Sequence, residues 1–390
     1  MGNRLALLAV GLALASPAAR GQPTPQNPPV ACGVPSANGD GWPIATPASA
    51  GLDDATLCKM VERFTSFTQG NVHSVLVARR GALVFEQYFT GEDVAWGDPP
   101  GRISFGPQTR HDLRSVTKSV VSLLLGIAIA QGKVAGADAP VFDFFPDYAD
   151  LRTAEKDRIR LRHLLTMSSG LAWDENIPYS DPRNSEIRMN AAPDPLRFVL
   201  AQPVVSAPGA VFNYSGGSTQ LIGTIIEKAT GKPLQEFARE ALFEPLGIVD
   251  WQWVKYDNGA IAAASGLKLR PRDMLKIGQL VLARGAWSGR QVVPAAWIDA
   301  STSSQIEAID FLFYGYQWWL GRSLIDGREV HWSLGLGLGG QRVFVVPALD
   351  LVVVITAGLY TSPTQRWVPW EIFRRHVVGA VRDGAPASSR

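Results

Sequence analysis

Ser115-Val116-Thr117-Lys118-Ser119-Val120-Val121-Ser122-Leu123-Leu124-Leu125-Gly126-Ile127-Ala128 opens a stretch that runs to Gln131 and is nearly all apolar after its first turn. That pattern predicts a buried helix. Ser115 and Lys118 stand three residues apart, so on a helix they share one face, one turn from each other. A lysine held there among Val120, Val121, Leu123 and Leu124 is desolvated, a setting in which its amine can take a seryl proton. The helix N-terminus adds the positive end of its dipole and a backbone N–H at the serine itself. A capping serine with a solvated lysine is the simpler account of S-x-x-K, but it fits poorly with a lysine on an apolar helix. A second copy, Ser265-Gly266-Leu267-Lys268, lies in a Gly-containing segment where no helix starts. It reads as coincidence.

Working outward, a helix follows Asp53, with apolar positions Leu57, Met60, Val61 and Phe64. Two strand-like runs, Ser74–Ala78 and Ala82–Tyr88, flank Arg79-Arg80-Gly81 and predict a hairpin. From about Val134 to Val249 helical patterns alternate with Gly/Pro breaks. A helix at Pro271–Ala283 then precedes strand-like Tyr316–Leu320, Gln341–Val346 and Leu351–Ala357, and a last helix lies around Trp370–Val381. Strands at both ends and helices between them predict an α/β (α+β) domain over 51–385. Its α/β part covers about 51–110 and 255–385, and an all-helical part covers about 111–254.

The N-terminal residues read differently. Arg4, the apolar Leu5 to Ala15 and the small residues Ser16-Pro17-Ala18 have the form of a signal peptide over 1–20, too short to span a bilayer. The expected location is therefore periplasmic or extracellular. Residues 21–50, rich in Pro, Asn, Ala and Gly, read as a linker or an extended surface arm. An oxidising compartment would admit a disulfide between Cys32 and Cys58; two unpaired small hydrophobes are the alternative.

Composition narrows the partners. Of 390 residues 46% are hydrophobic and 18% charged, and 37 basic against 35 acidic side chains leave a net charge of +2. No basic stripe points to nucleic acid, and no later apolar run is long enough for a membrane span. Two cysteines and five dispersed histidines without an H-x-x-x-H pair predict no metal. G-x-S-x-G, H-E-x-x-H, a dinucleotide-binding glycine motif in context and a P-loop are all absent. The chemistry falls to serine and to a small-molecule substrate, with no cofactor.

Two further motifs are candidates. Asn213-Tyr214-Ser215-Gly216-Gly217 precedes a helical Gln220–Ala229 and can present a tyrosine hydroxyl to the Ser/Lys pair, although a structural tyrosine is the simpler local reading. Gly335-Leu336-Gly337-Leu338-Gly339-Gly340-Gln341 leads into a strand and could offer backbone N–H groups to a substrate carbonyl, although alone it reads as a turn. Tyr179 and Asp181, on a loop after Trp173-Asp174-Glu175, are possible cleft residues or plain surface. His163 and His331 read as structural.

The order of these motifs resembles that of the serine β-lactamase and penicillin-binding-protein superfamily. It is most similar to the β-lactamase-related hydrolases that include class C β-lactamases, family VIII esterases and 6-aminohexanoate-dimer hydrolase. The resemblance runs from about Leu52 to Val381. It also rests on Arg162-His163-Leu164-Leu165-Thr166, Ser169-Gly170-Leu171, Pro271-Arg272-Asp273-Met274 and Tyr314-Gly315-Tyr316-Gln317-Trp318-Trp319. It implies an antiparallel sheet flanked by helices plus a helical domain, with Ser115 as acylated nucleophile, Lys118 as its activator and Tyr214 as the Tyr of Y-x-N. It further implies an oxyanion hole from the backbone N–H groups of Ser115 and Leu338, with Tyr179, Gly216, Gly337 and Gly339 against the substrate.

Two departures matter. The Asn of Y-x-N is Gly216, and the K-T-G motif reads Gly335-Leu336-Gly337, which lacks the cation that meets a substrate carboxylate. The expectation is thus an exported serine hydrolase acting through an acyl-enzyme on esters or linear amides. A β-lactamase or D-Ala-D-Ala carboxypeptidase is the alternative, and a sensor that acylates without turnover is a third. Arg342 is the nearest other cation in sequence to the missing lysine.

Overall fold

Apolar residues in unbroken runs, such as Leu351-Val352-Val353-Val354-Ile355, suit strands covered on both faces. The computed structural model, which describes residues 32–96, 101–325 and 327–382, places that run inside an eight-stranded sheet. The strands are β1 (Val72–Arg79), β2 (Ala82–Tyr88), β3 (Ile306–Glu307), β4 (Phe313–Tyr314), β5 (Trp319–Ile325), β6 (Arg328–Gly337), β7 (Gln341–Val346) and β8 (Leu351–Ala357). Their spatial order is β3-β4-β5-β6-β7-β8-β1-β2, with every neighbouring pair antiparallel. The N-terminal hairpin therefore docks on the last strand, with Val75 opposite Ile355 and Leu76 opposite Val354.

Alternation sorts the side chains into two cores. Val75 and Val77 pack with Phe344, Val353 and Ile355 against α1 (Asp54–Ser66) and the C-terminal helical segment containing Ile372, Phe373 and Val377. Leu76 and Ala78 pack with Val343, Val345, Val352 and Val354 against α2 (Val116–Ala130) and α4 (Pro271–Leu282). Helix α2 is buried over Val116–Ala128, which leaves its polar residues little choice but to find partners inside the protein. On its far side lies α3 (Gly216–Thr230).

Several expectations shift. The strand read at Tyr316–Leu320 begins only at Trp319, because Gln317 adopts a left-handed φ of 64° and turns its amide inward. Its Nε2 donates to Leu164 O at 3.0 Å, its Oε1 accepts from Thr219 at 2.9 Å, and its carbonyl accepts from Ser119 Oγ at 2.7 Å. One buried amide thus ties α2, α3 and the segment Leu161–Leu165 to the sheet. Strand β6 is also longer than the glycine-rich turn suggested. The described part of the arm is extended and hydrogen-bonded to the sheet. Leu83 N donates to Pro43 O, Ala45 N to Leu83 O and Glu86 N to Gly33 O, so the arm covers the exposed edge of β2. Trp42 from this arm is buried, and its indole N–H donates to Arg272 O.

A disulfide joins Cys32 to Cys58. The expected signal peptide over 1–20 lies outside the described residues. No helix among the described residues is long and apolar enough to cross a membrane.

Candidate active site

Ser115 is the N-cap of α2, and the residue before it, Arg114, holds a left-handed φ of 49°. That strained turn aims the serine at a cleft of ≈ 500 Å³. Lys118, one turn into the helix, is 1% exposed, and its Nζ lies 3.1 Å from Ser115 Oγ and 3.1 Å from Ala264 O. The spacing read from sequence is therefore the contact found in the structure. Tyr214 stands on the loop before α3. Its hydroxyl is directed at Ser115, its ring centre is 4.9 Å from Lys118 Nζ, and the ring stacks on Trp319 at 5.8 Å. Burial, reinforced by the charge of Glu175, pushes the Tyr214 phenol well above its ordinary range, so it is held protonated.

Two carboxylates that the sequence did not single out complete this wall. Glu175 accepts from Tyr179 OH at 2.9 Å, and also from Trp173 Nε1 and the backbone N–H of Gly216. Glu186, 3% exposed, accepts from Ser265 Oγ at 3.0 Å. The two side chains hydrogen-bond to each other. Burial and the charge of Glu186 raise Glu175, which keeps its proton. Glu186 is lowered overall: burial opposes its charge, but the field of Lys118 and the hydrogen bonds from Glu175 and Ser265 outweigh it. Two carboxylates this close share one proton. Nothing local marks them, since a glutamate on a loop, as Glu175 is, or in the first turn of a short helix, as Glu186 is, ordinarily reads as solvated.

These carboxylates account for the departure at Gly216. A Cβ on Gly216 would lie 2.9 Å from Glu186 Oε2, so the asparagine expected there would collide with the carboxylate. At Gly335 a Cβ would lie 3.2 Å from Val116 Cγ1, a tight contact, with Ser119 Oγ at 3.5 Å and the buried Trp318 at 3.7 Å in ordinary van der Waals range.

Of the remaining expectations, Tyr179 and Leu338 line the cleft with Ser115. Gly216, Gly337 and Gly339 are not among its described lining residues. Gly337 has its carbonyl on Arg342 and a Cβ position 2.3 Å from Leu113 O, and Gly339 N–H donates to Gln365. Asp181 pairs with exposed Arg183. His163 caps a short helix through its ring, and His331 lies on the surface beside Glu329. Arg342 does not reach the cleft. It is buried behind the turn, donates to Gly337 O and Gln341 O at 2.8 Å, and is pulled down to about 10 by burial. The cations among the described lining residues are Arg114 and Lys255, and the carboxylates are Glu186 and Asp257. Ser265, set aside as part of a chance motif, also lines it.

Comparison with known proteins identifies the family. The beta-lactamase family model matches residues 64–366. The 6-aminohexanoate-dimer hydrolase of Paenarthrobacter ureafaciens is 24% identical over 309 residues, which are 74% of this chain and 73% of that protein. Esterase EstB of Burkholderia gladioli is 29% identical over 189 residues, 46% of each. Among solved structures, the octameric penicillin-binding protein homologue from Pyrococcus abyssi superposes with a TM-score of 0.61 at 20% identity, covering 83% of this chain and 77% of that one. The match over most of the sheet and of the helices around Ser115 establishes that the chain belongs to the beta-lactamase family and is a serine hydrolase.

Proposed function

We propose that this protein is an exported hydrolase that forms an acyl-enzyme on Ser115 and cleaves carboxyl esters or linear amides. The observation that carries the reading is the 3.1 Å contact between Lys118 Nζ and Ser115 Oγ at the base of the cleft. In this reading the amine of Lys118 takes the seryl proton as Oγ attacks the carbonyl carbon. Tyr214, protonated and directed at the same serine, passes a proton to the leaving group. The backbone N–H groups of Ser115 and Leu338 receive the developing oxyanion, each such donor being worth about 2.7–4 kcal/mol. Water then attacks the ester carbonyl, and the same groups run in reverse. Export rests on the signal-peptide pattern of residues 1–20.

The substrate class rests on Gly335 and on the relatives. No cation stands where a β-lactam or C-terminal carboxylate would be read, because that position is Gly335, and Val116 Cγ1 crowds its Cβ direction at 3.2 Å. Relatives named for a linear amide and for ester hydrolysis point the same way. The test is a panel of neutral esters, linear amides, penicillins and D-alanyl peptides, run with wild type and Ser115→Ala. Neutral short-chain esters or linear amides should give the highest kcat/KM. Faster hydrolysis of penicillins or cephalosporins than of any ester or linear amide would reverse the assignment, with Arg114 and Lys255 on the cleft lining then the candidates to read the carboxylate. A burst of product without steady turnover would make the protein a sensor.

A further inference from the structure

The histidines are scattered in sequence, yet folding brings His73 and His111 together with Asp93 beside them. Their donor atoms all lie within 4.8 Å of one another, and all three residues are buried. They come from separate strands: β1, the short strand Thr90–Asp93 and the two-residue strand His111–Asp112. The outer nitrogen of each ring faces a backbone carbonyl. His73 Nε2 is 3.1 Å from Glu92 O, and His111 Nδ1 is 3.1 Å from Asp112 O. A carbonyl only accepts, so each outer nitrogen carries hydrogen. In neutral rings the inner nitrogens, His73 Nδ1 and His111 Nε2, are then both lone pairs, and they face each other at 2.8 Å. Lone pairs at that distance repel. With both outer contacts kept as hydrogen bonds, a cation between the rings, one extra proton or a metal ion, relieves that repulsion.

We propose that His73, His111 and Asp93 form a buried site for a divalent first-row metal ion, with Zn²⁺ the ion that two imidazoles and one carboxylate suit best. The outer contacts have the form expected of histidine ligands, whose second ring nitrogen usually donates to a carbonyl. Asp93 is likewise held, accepting from Tyr360 OH at 3.1 Å. The His73 ring stacks on Phe105 at 3.9 Å, and Gly91 and Gly358 press against it so closely that a Cβ would lie 2.7 and 2.9 Å from ring atoms.

Metal–nitrogen bonds of ~2.0–2.1 Å at tetrahedral angles set the two nitrogens ~3.3 Å apart, so His111 withdraws by ~0.5 Å on binding. The ion replaces the proton held between the rings, and that proton leaves to solvent. None of the three residues is among those lining the cleft. His111 leads through Leu113 and Arg114 to Ser115, and the Arg114 guanidinium lies 4.8 Å from the ring centre of Tyr360. The ion therefore braces the approach to the serine and does not touch substrate.

The experiment uses the full chain, stripped with a chelator and titrated with Zn²⁺ alone by calorimetry in two buffers of different ionisation enthalpy. The expected result is roughly one ion bound and roughly one proton released, with a rise in Tm that chelator reverses. His111→Gln should abolish binding and Asp93→Asn should weaken it, while His331→Gln on the surface leaves it unchanged. Because His111→Gln also removes a packed ring, Co²⁺ uptake by wild type supplies a second readout, the visible bands of a low-coordinate nitrogen-ligated ion. A stripped wild type that takes up neither ion and keeps its Tm would overturn the proposal and leave a shared proton between the rings. So would Zn²⁺ binding lost in His331→Gln and retained in His111→Gln.

Discussion

The stretches Ser115–Lys118 and Ser265–Lys268 share one spacing and line up at the same cleft, but only one of them is a working pair. On α2 the fourth residue comes back over the first, and Lys118 Nζ reaches Ser115 Oγ at 3.1 Å. The second copy runs into the strand Leu267–Leu269, where residues three apart point to opposite faces. Lys268 turns to Asp112, 3.6 Å away, and Ser265 turns to Glu186. A spacing carries chemistry only through the backbone that realises it. Both serines face the substrate space; a base stands beside one and an acid beside the other.

The comparison breaks most visibly at the serines themselves. Ser115→Ala should lower turnover by at least ~10³-fold and abolish labelling by a fluorophosphonate, because it removes the nucleophile. Ser265→Ala should keep the label and lose less than ~10-fold, the cost of one hydrogen bond to Glu186. Peptide mapping that put the adduct on Ser265 would exchange the two roles.

The lysines sharpen it next. Lys118→Ala should cut kcat by ~10²–10⁴-fold with the fold intact. Lys268→Ala should do the opposite, leaving kcat within a few-fold while costing ~1–3 kcal/mol of stability, since the buried Asp112 carboxylate loses one of two cations and keeps Arg114 at 3.1 Å. Urea unfolding alongside kinetics separates the two. Tyr214→Phe is expected between them, at ~10²-fold in kcat. An unchanged kcat there would reduce Tyr214 to a ring packed on Trp319.

The smallest effect lies in the acid pair. Glu175 is raised by burial and by the charge of Glu186, so the folded protein holds this proton more tightly than the unfolded chain does. That contribution is complete in acid, below the ordinary carboxylate value, and is lost as pH rises through neutrality. Glu175→Gln keeps a donor toward Glu186 and has no proton to lose. Wild type should therefore lose more Tm than Glu175→Gln between ~pH 5 and ~pH 9. Equal slopes would mean that the pair does not share a proton.

The two walls of the cleft differ in how legible they were. Helix α2 could be read because its signal is local: an apolar run, a cap position and an i, i+3 pair all lie within one segment. Family resemblance then placed Tyr214 and Leu338, which local residues alone left as a structural tyrosine and a turn. The departures at Gly216 and Gly335 were visible as missing side chains, while their cause was not. The carboxylate of Glu186 crowds position 216 and the side chain of Val116 crowds position 335, each from a segment far along the chain. Arg342 shows the converse. Adjacent in sequence to the glycine turn, it lies behind that turn and not in the cleft.

By itself, the sequence determined the buried helix with its Ser/Lys pair, the hairpin, the C-terminal strands and the absence of a charged reader at position 335, because each follows from periodicity or from the presence of one residue type. Only the tertiary structure decided which of two identical spacings was chemically joined. It also brought Glu175 to Glu186 and His73 to His111, and put the arm on the edge of β2. The physical reason is one of range. Propensity and pattern act over a few residues, whereas proton sharing, ligand clusters and filled volumes depend on atoms that meet only after long loops close and two faces of a sheet are covered.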